Sequence, residues 1–452
     1  MAKKIQGVEV APSANQLHDL IKSMELNQYV EFIEKVDASK HGFDSKGNYL
    51  HWDSFVPRAK DFNRDEKALA YLVLKKQRNL KPHGGLVDEH GVPFLFTDQG
   101  LAAKLHQISQ LETFEHLKVG EIDKRIHLVN GVIMEEAISS AQLEGAATTR
   151  TVAKKMLETG REAENDSEKM IVNNWNLIRE AEHHKNDPLS IDLILFFNKT
   201  ATIHLNENGH VAGNLRDDVV SVSNTMTGEL VHEPPMHTQV EAMLQMLCDY
   251  ANSEHTTGGN FIHPIIKACV LHFMIGYIHP FFDGNGRTAR ALFYWYMLKS
   301  GYENFKYISI SALLKNAPTQ YMKSYLYTET DENDLTHFVD YQLTIIIKAL
   351  NRFTDYIHTK VSELENAMNI LRTSPLYSEL SLPHITILEK ALKNPGRIFI
   401  VKEVESDLSV SSTTARGYLD KLADMKLLMK THLSGRTYGY MSPADLKERL
   451  SM

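Results

Sequence analysis

Residues 279–290 read His279-Pro-Phe-Phe-Asp-Gly-Asn-Gly-Arg-Thr-Ala-Arg290, and this stretch decides the fold around it. Before it, apolar residues recur at steps of three and four over Pro264–Ile278, which predicts a buried helix. Because Pro280 disfavours a helical conformation at the preceding residue, we expect this helix to end at His279, in an extended conformation. A second apolar helix is predicted over Arg287–Leu298.

The loop between the two helices carries residue types that bind phosphate. Gly284, Asn285 and Gly286 can form a turn that directs several N–H groups at one anion, and the second helix begins there. Arg287 and Arg290 are three residues apart, so they share one face of the first turn. Guanidinium groups suit phosphate oxygens. Each fragment alone is more often an ordinary turn, but their order and spacing together predict a site for phosphate.

Two further side chains of the stretch can act on a bound phosphate compound. Asp283 offers the hard oxygen that Mg²⁺ prefers when it bridges phosphates. His279 has an ordinary pKa of about 6.5, so near neutral pH its ring can accept a proton from a hydroxyl group. The sequence therefore predicts a base and a metal ligand beside the phosphate site.

The stretch resembles the signature of the Fic family, His-x-Phe-x-(Asp/Glu)-Gly-Asn-Gly-Arg-x-x-Arg, at every fixed position. The resemblance implies a mainly α fold, in which a helical core carries a short β-hairpin flap. It also implies transfer of AMP from ATP to a Ser, Thr or Tyr hydroxyl of a protein, with His279 as the base and Asp283 holding Mg²⁺. Phe281 would fix the loop in the core. The residues implied to bind ATP are Gly284, Asn285, Gly286, Arg287, Arg290 and Tyr321. For Tyr321, which would lie near the adenine, ordinary helix packing is the alternative.

A second motif lies upstream, where the apolar spacing predicts a helix over residues 133–145. Ser140 and Glu144 are four residues apart on it, and Gly145 suits its end. Alone, this pattern usually marks a solvated face ending at a cap. It resembles the family's inhibitory motif, (Ser/Thr)-x-x-x-Glu-(Gly/Asn). The resemblance implies that Glu144 pairs with Arg290 in place of the γ-phosphate, and that the same carboxylate could support removal of AMP.

A predicted hairpin separates the two motifs within residues 213–235. Its strands are Val219–Val222 and Glu229–His232, with a turn over Asn224–Gly228. A surface hairpin without a role is the alternative. The resemblance implies a flap on which an unknown target protein docks by strand addition. Main-chain bonding is tolerant of sequence, so the target cannot be read from the flap. Self-modification is also expected.

The length of 452 residues suggests two or three domains. We expect an N-terminal region of no legible role over 1–110, a Fic domain over 111–345, a linker helix over 346–375 and a winged-helix-like domain over 376–452. In the N-terminal region, Ser13–Met24 and Asn63–Gln77 are predicted helices, and Pro82–Pro93 is predicted to be a loop. The last domain resembles a winged helix because its pattern predicts helices Ile385–Leu392 and Val401–Leu408, a third helix capped by Ser411, and a hairpin around Leu433–Arg436.

Composition limits the remaining function classes. A net charge of −8 argues against a chain built to coat nucleic acid or membrane, although the C-terminal domain has a small excess of basic residues. DNA binding therefore stays open without being favoured, and no membrane partner is expected. Cys248 and Cys269 are too few for a disulfide framework, and the start lacks an apolar signal segment, so we expect a cytoplasmic protein. A homo-oligomer stays open. The alternative function is a DNA-binding regulator that senses a nucleotide.

Overall fold

The computed structural model groups the chain in two compact units, Met1–Arg352 and Phe353–Met452. The N-terminal region (1–110) and the whole predicted Fic domain (111–345) therefore share the first unit. The structure describes residues 8–12, 17, 22, 24–39, 43–45, 47–112, 134–205, 211–223, 228, 230–255, 261–408, 410–434 and 437–451.

Helices dominate the described residues, which confirms the prediction of a mainly α fold. Within these residues, no helix combines the length and the apolar character that crossing a bilayer requires. The helices are α1 (Leu26–Ser39), α2 (Trp52–Phe55), α3 (Arg64–Gln77), α4 (Ala102–Glu112), α5 (134–143), α6 (Arg150–Thr159), α7 (Asp166–His183), α8 (Ile191–Thr202), α9 (His237–Asn252), α10 (Pro264–Ile278), α11 (Asn285–Lys299), α12 (Ser311–Asn316), α13 (Pro318–Thr330), α14 (Thr336–Thr373), α15 (Leu382–Lys393), α16 (Val401–Leu408), α17 (Ser412–Asp424) and α18 (Leu446–Ser451). Short 3-10 helices lie at Glu303–Tyr307 and Tyr377–Glu379.

The strands form three small antiparallel sheets in the described part of the chain. Their orders are β1-β2, β3-β4 and β5-β7-β6. The strands are β1 (Lys81–Val87), β2 (Pro93–Phe96), β3 (Val222–Ser223), β4 (Leu230–His232), β5 (Ile398–Phe399), β6 (Met429–Ser434) and β7 (Thr437–Met441).

Helices α10 and α11 form the centre of the first unit, with α7, α8 and α9 packed around them. Nearly every residue of α10 is buried because the helix is apolar on all sides. Pro264 occupies its first turn, and the His263 ring accepts a hydrogen bond from the N–H of Ile265, which caps the helix at 3.3 Å. Both central helices were predicted, and α11 begins two residues earlier than expected, at Asn285.

The conformation expected at the end of α10 was wrong. The helix ends at Ile278, as predicted, but His279 is left-handed (φ 50°, ψ 56°) rather than extended. Its N–H still bonds to the carbonyl of Ile275 at 3.0 Å, as at many helix ends with a left-handed cap. Arg216 accounts for the difference, since its backbone N–H and side chain bind the carbonyls of Pro280 and His279 and hold this turn.

The N-terminal region contains a β-hairpin where a loop was predicted. Pro82–Pro93 was expected to be irregular because of its glycines and prolines, but β1 and β2 pair across it. Gly84 (φ 58°) lies against Tyr250 so closely that a Cβ would come within 2.4 Å of the ring, so packing against α9 explains the glycine. The helix predicted at Asn63–Gln77 is confirmed as α3, with Asn63 as its cap. Most of Ser13–Met24 lies outside the described residues.

The hairpin predicted within 213–235 is present but shorter than expected. The first strand was placed too early, because pairing involves only β3 and β4, with Val222 opposite His232. Residues 224–227, which hold most of the predicted turn, lie outside the described residues. Val219 is exposed, so it has no packing that would extend the strand toward it.

The second unit has its own apolar core beneath a three-stranded sheet. Helix α17 begins after Ser411, whose hydroxyl accepts from the N–H of Thr414, and Ala415, Leu419 and Leu422 are buried on its inner face. The order helix, strand, helix, helix and β-hairpin matches the predicted elements except for β5, which the sequence did not indicate. Residues 346–373 of the predicted linker (346–375) belong to one continuous helix, α14, which ends two residues before the predicted boundary.

Candidate active site

The loop 279–284 between α10 and α11 is held in place by the Phe281 side chain and by Asn285, the first residue of α11. Phe281 is only 1 % exposed, so its ring anchors the loop in the core. The Asn285 amide accepts from the N–H of Phe281 at 3.0 Å and donates to its carbonyl at 2.8 Å. Gly284 (φ 82°) caps α11, and a Cβ there would lie 2.6 Å from the methyl group of Thr202. In this structure Asn285 therefore braces the loop.

The surroundings of His279 favour its neutral form, and its Nε2 has no hydrogen-bond partner in the part of the chain that the structure describes. Its Nδ1 lies 3.3 Å from the carbonyl of Gly276, so Nδ1 carries the proton and Nε2 keeps its lone pair. Burial lowers the pKa of His279 to about 4, and the charges of His232 and Arg216 act in the same direction. Glu144 opposes this effect, as a nearby carboxylate must. The ring can thus accept a proton throughout the neutral pH range.

Arg290 is buried and forms an ion pair with Glu144, at the end of the predicted inhibitory helix. Its guanidinium is 2 % exposed and donates to the Glu144 carboxylate at 2.8 Å. It also donates to the Ser140 hydroxyl at 3.0 Å and to the Ser140 carbonyl at 3.3 Å. A Cβ on Gly286 would lie 2.3 Å from the Glu144 carboxylate, so that carboxylate covers the first turn of α11. A carboxylate occupies the position where the helix start would attract an anion.

Arg287 and Asp283 are arranged differently from what the resemblance suggested. The Arg287 side chain is completely buried and donates to the carbonyl of Ala201 at 2.7 Å and to Oδ2 of Asp283. The Asn198 amide donates to the Asp283 carbonyl at 2.9 Å. Arg287 therefore positions the Asp283 carboxylate from within the core, and its own side chain does not reach the surface. The Asp283 side chain is partly exposed, and no residue in the described part of the chain hydrogen-bonds to its Oδ1.

Tyr321 on α13 lies at the same site. Its hydroxyl is 2.7 Å from Nε2 of His272, and it is close enough to Arg290 and Glu144 for their charges to act on it. Burial raises the pKa of Tyr321, although Arg290 partly opposes this effect. Tyr321 therefore lies beside the Arg290–Glu144 pair, and the contact with adenine that the resemblance implies stays a prediction.

Two residues important to this geometry were missed. Arg216 donates to the carbonyls of His279 at 2.8 Å, Asp218 at 3.0 Å and Pro235, so it joins both ends of the segment 218–235 to the loop 279–284. His232 on β4 bonds to Glu329 at 2.8 Å and to the carbonyl of Tyr277 at 2.7 Å. Burial lowers the pKa of His232, but these two acceptors outweigh burial and raise it. Neither partnership leaves a sequence signal, because the acceptors are distant or belong to the main chain.

A separate buried group can be excluded as a metal centre on electrostatic grounds. Asp331, Asp334 and His337 place ligand atoms within 4.8 Å of one another. Lys75 donates to Asp331 at 2.7 Å, and the Arg78 guanidinium lies 3.6 Å from Asp331 and 4.0 Å from Asp334. Lys75 on α3 and Arg78 at the end of α3 already neutralise this cluster. The cluster joins the N-terminal region to residues 331–337 at the start of α14.

Comparison with known proteins agrees with this fold. Residues 188–297 match the Fic/DOC family. The chain is 37% identical over 71 residues to the protein adenylyltransferase Fic of Drosophila willistoni, covering 16% of this chain and 14% of that protein. It is 25% identical over 225 residues to the protein of the same name from Drosophila yakuba, covering 45% of this chain and 43% of the relative. The chain thus spans less than half the length of these relatives.

A solved structure shows the same architecture. A Fic family protein from Desulfovibrio desulfuricans G20 superimposes with a TM-score of 0.51 at 16% identity, covering 76% of this chain and 96% of that one. Residues 188–297 therefore resemble the Fic/DOC family, and the chain has the Fic fold. Its sequence relatives are named as protein adenylyltransferases. The match to the family begins after Glu144, so the inhibitory motif lies outside it.

Proposed function

We propose that this protein is an adenylyltransferase that transfers AMP from ATP to a hydroxyl group of a protein and is restrained by Glu144. The observation that carries the proposal is the neutral His279, with Nε2 free, beside an anion site formed by Arg290 and the first turn of α11. The site combines a base with groups that favour a phosphate. The names of the relatives support adenylyl transfer over other transfers of the same type.

The proposed reaction depends on positioning more than on covalent catalysis. The triphosphate would lie across the N-terminus of α11, where Arg290 binds its outer oxygens and free N–H groups bind the inner ones. His279 Nε2 would take the proton from the target hydroxyl, whose oxygen attacks the α-phosphorus while pyrophosphate leaves. Arg216 and Phe281 would keep His279 in place during this step.

Asp283 fits the role of a magnesium ligand. Its Oδ2 is held by Arg287, and its partly exposed Oδ1 is without a donor among the described residues, so one hard oxygen can face a bound triphosphate. Magnesium commonly takes one carboxylate and completes its shell with phosphate oxygens and water. When bound, the ion would neutralise charge on the phosphates. Arg287 would then orient the carboxylate.

Glu144 would restrain the enzyme by competing for Arg290. The carboxylate already makes the charge-assisted bond at 2.8 Å that an outer phosphate oxygen would make. A nucleotide must therefore displace it or bind with its phosphates misaligned. Whether Glu144 also supports removal of AMP belongs to the same proposal.

The remaining surfaces receive proposals from the sequence. The target would dock on the flap formed by β3 and β4, whose short strands leave main-chain groups for an added strand. The C-terminal unit would serve as a winged-helix-like docking module, and self-modification is expected. The alternative of a regulator that senses a nucleotide requires no proton acceptor at residue 279.

Incubation with ATP labelled at the α-phosphate tests the activity. The protein should label itself or proteins of a lysate, and His279→Ala should abolish the label while leaving ATP binding and thermal unfolding unchanged. His183→Ala, at an exposed position on α7, is the matched control and should label like the unaltered protein. Labelling that persists in His279→Ala would refute the role of His279. The absence of any label, in Glu144→Ala as well as in the unaltered protein, would favour the sensor.

A further inference from the structure

The helix that carries Glu144 has a second polar anchor, two turns away from the active site. Glu136, Ser140 and Glu144 follow one another at intervals of four, so they lie on one face that runs from the first turn of α5 to the residue after its last turn. Ser140 and Glu144 bind Arg290, whereas Glu136 points at a different partner. Glu136 is only 3 % exposed. A buried carboxylate persists only when its oxygens receive hydrogen bonds.

Those bonds come from the turn that precedes α12. One Glu136 oxygen accepts from the Ser309 hydroxyl at 2.6 Å and from the Ser311 N–H at 3.1 Å. The other accepts from the Ser311 hydroxyl at 2.5 Å. Three donors thus fix one carboxylate in position and direction. We call Glu136, Ser309 and Ser311 the helix anchor.

The helix anchor is joined to the same helix as Arg290. The Tyr294 hydroxyl accepts from the N–H of Ile310 at 3.1 Å and donates to the carbonyl of Ile308 at 3.3 Å. Tyr294 follows Arg290 by four residues on α11, so it lies one turn further along the same face. Helix α5 is therefore bound to α11 at two points, directly through Arg290 and indirectly through the anchor and Tyr294.

Two attachment points define the position of a helix better than one. The Glu144 side chain is 29 % exposed and lies at the end of α5, where helix termini tend to fray. Its single bond to Arg290 competes with water. Three hydrogen bonds fix Glu136, so they fix the direction in which the helix runs toward Arg290. We propose that Glu136 is a positioning residue for Glu144, so that the helix anchor sets the strength of the restraint.

This inference rests on the proposed function, and Glu136→Gln tests it with little change in shape. The amide has one acceptor oxygen, so at least one of the three donors must face an N–H group or lose its partner. We expect labelling from α-labelled ATP to rise about three- to tenfold and ATP to bind tighter by a similar factor. Ser311→Ala removes one donor and should act in the same direction with a smaller effect. It also serves if Glu136→Gln fails to fold.

Glu135→Gln is the matched control. Glu135 lies on the same helix but pairs with the exposed Arg150 at 2.5 Å, so the same chemical change there should leave labelling unaltered. Glu144→Ala measures the restraint itself. The decisive variant combines Glu136→Gln with Glu144→Ala. If Glu136 acts only through Glu144, the double variant labels and binds ATP like Glu144→Ala alone.

The outcomes separate the two levels of the argument. Wild-type labelling and ATP affinity in both Glu136→Gln and Ser311→Ala, with a clear rise in Glu144→Ala, would overturn the anchor and keep the restraint. A further rise when Glu136→Gln is added to Glu144→Ala would also overturn it, because Glu136 would then act by another route. No rise in Glu144→Ala would refute the restraint in the proposed function. Higher labelling and affinity in Glu136→Gln that vanish in the double variant would support the inference.

Discussion

Replacing Glu144 with Ala should tighten the binding of ATP because it removes the anion that now binds Arg290. The change deletes the 2.8 Å bond between the Glu144 carboxylate and the guanidinium and clears the space above Gly286. Arg290 keeps its two bonds to Ser140, so the guanidinium should stay in place for a phosphate. The variant thus alters the competitor while leaving the binding groups intact.

The size of the effect follows from the environment of the pair. A hydrogen bond to a charged group contributes roughly 1.5–3 kcal/mol. Glu144 is 29 % exposed, so solvent screening favours the lower end, about 1.5 kcal/mol. A γ-phosphate no longer has to displace this bond in the variant, and 1.4 kcal/mol corresponds to about a factor of ten in affinity. Without nucleotide, the free energy of unfolding should fall by about the same amount, since Arg290 is left without its anion.

Calorimetric titration with ATP and Mg²⁺ measures the affinity, and AMP serves as a ligand without outer phosphates. We expect about tenfold tighter binding of ATP and little change for AMP. Glu135→Ala removes the same charge from the same helix, but its partner Arg150 is 71 % exposed and lies outside the Arg290 site, so the variant should bind ATP like the unaltered protein. The reasoning is refuted if Glu144→Ala binds ATP no tighter than Glu135→Ala, or if AMP gains as much as ATP.

Three further predictions concern the loop between α10 and α11. Because the pKa of His279 is lowered to about 4, labelling should stay constant from pH 8 to about 5 and fall below that, and a loss centred near 6.5 would contradict it. The stability that this neutral His279 contributes should be complete above pH 6.5, its ordinary pKa, and should be lost as the pH falls toward 4, in urea titrations. Gly284→Ala should lose labelling. Its free energy of unfolding, measured by denaturant titration, should be at least about 2 kcal/mol lower than that of Gly301→Ala. Both glycines are left-handed. A Cβ added at Gly284 would lie 2.6 Å from the methyl group of Thr202, whereas a Cβ added at Gly301 would have no neighbour within 4 Å. Equal losses in the two variants would show that crowding at Gly284 does not matter.

Much of the helical architecture followed from local pattern. The apolar period of α10, the glycines before α11 and the cap of α17 at Ser411 each act within a few residues, so sequence alone predicts them. The expected hairpin also formed, although β3 was shorter than predicted. The loop predicted at Pro82–Pro93 was wrong because contact with α9 stabilises a strand that its glycines do not favour.

The partners of polar side chains were harder to predict. A resemblance placed Glu144 against Arg290, and the structure brings the two together. Nothing in the sequence showed that Arg287 would turn beneath the loop to hold Asp283, or that Arg216 would bind the carbonyl of His279. A guanidinium can bind any acceptor that the fold brings within reach, and main-chain carbonyls carry no sequence label.

The sequence by itself determined where the helices lie and which residues could serve as base, metal ligand and anion site, because periodicity and residue chemistry are local properties. Tertiary structure decided which of these groups meet. It turned His279 into a left-handed cap with a lowered pKa and placed Glu136 among three donors from a turn more than 170 residues away. Burial and long-range hydrogen bonds cause both results, and they exist only once distant segments have packed together.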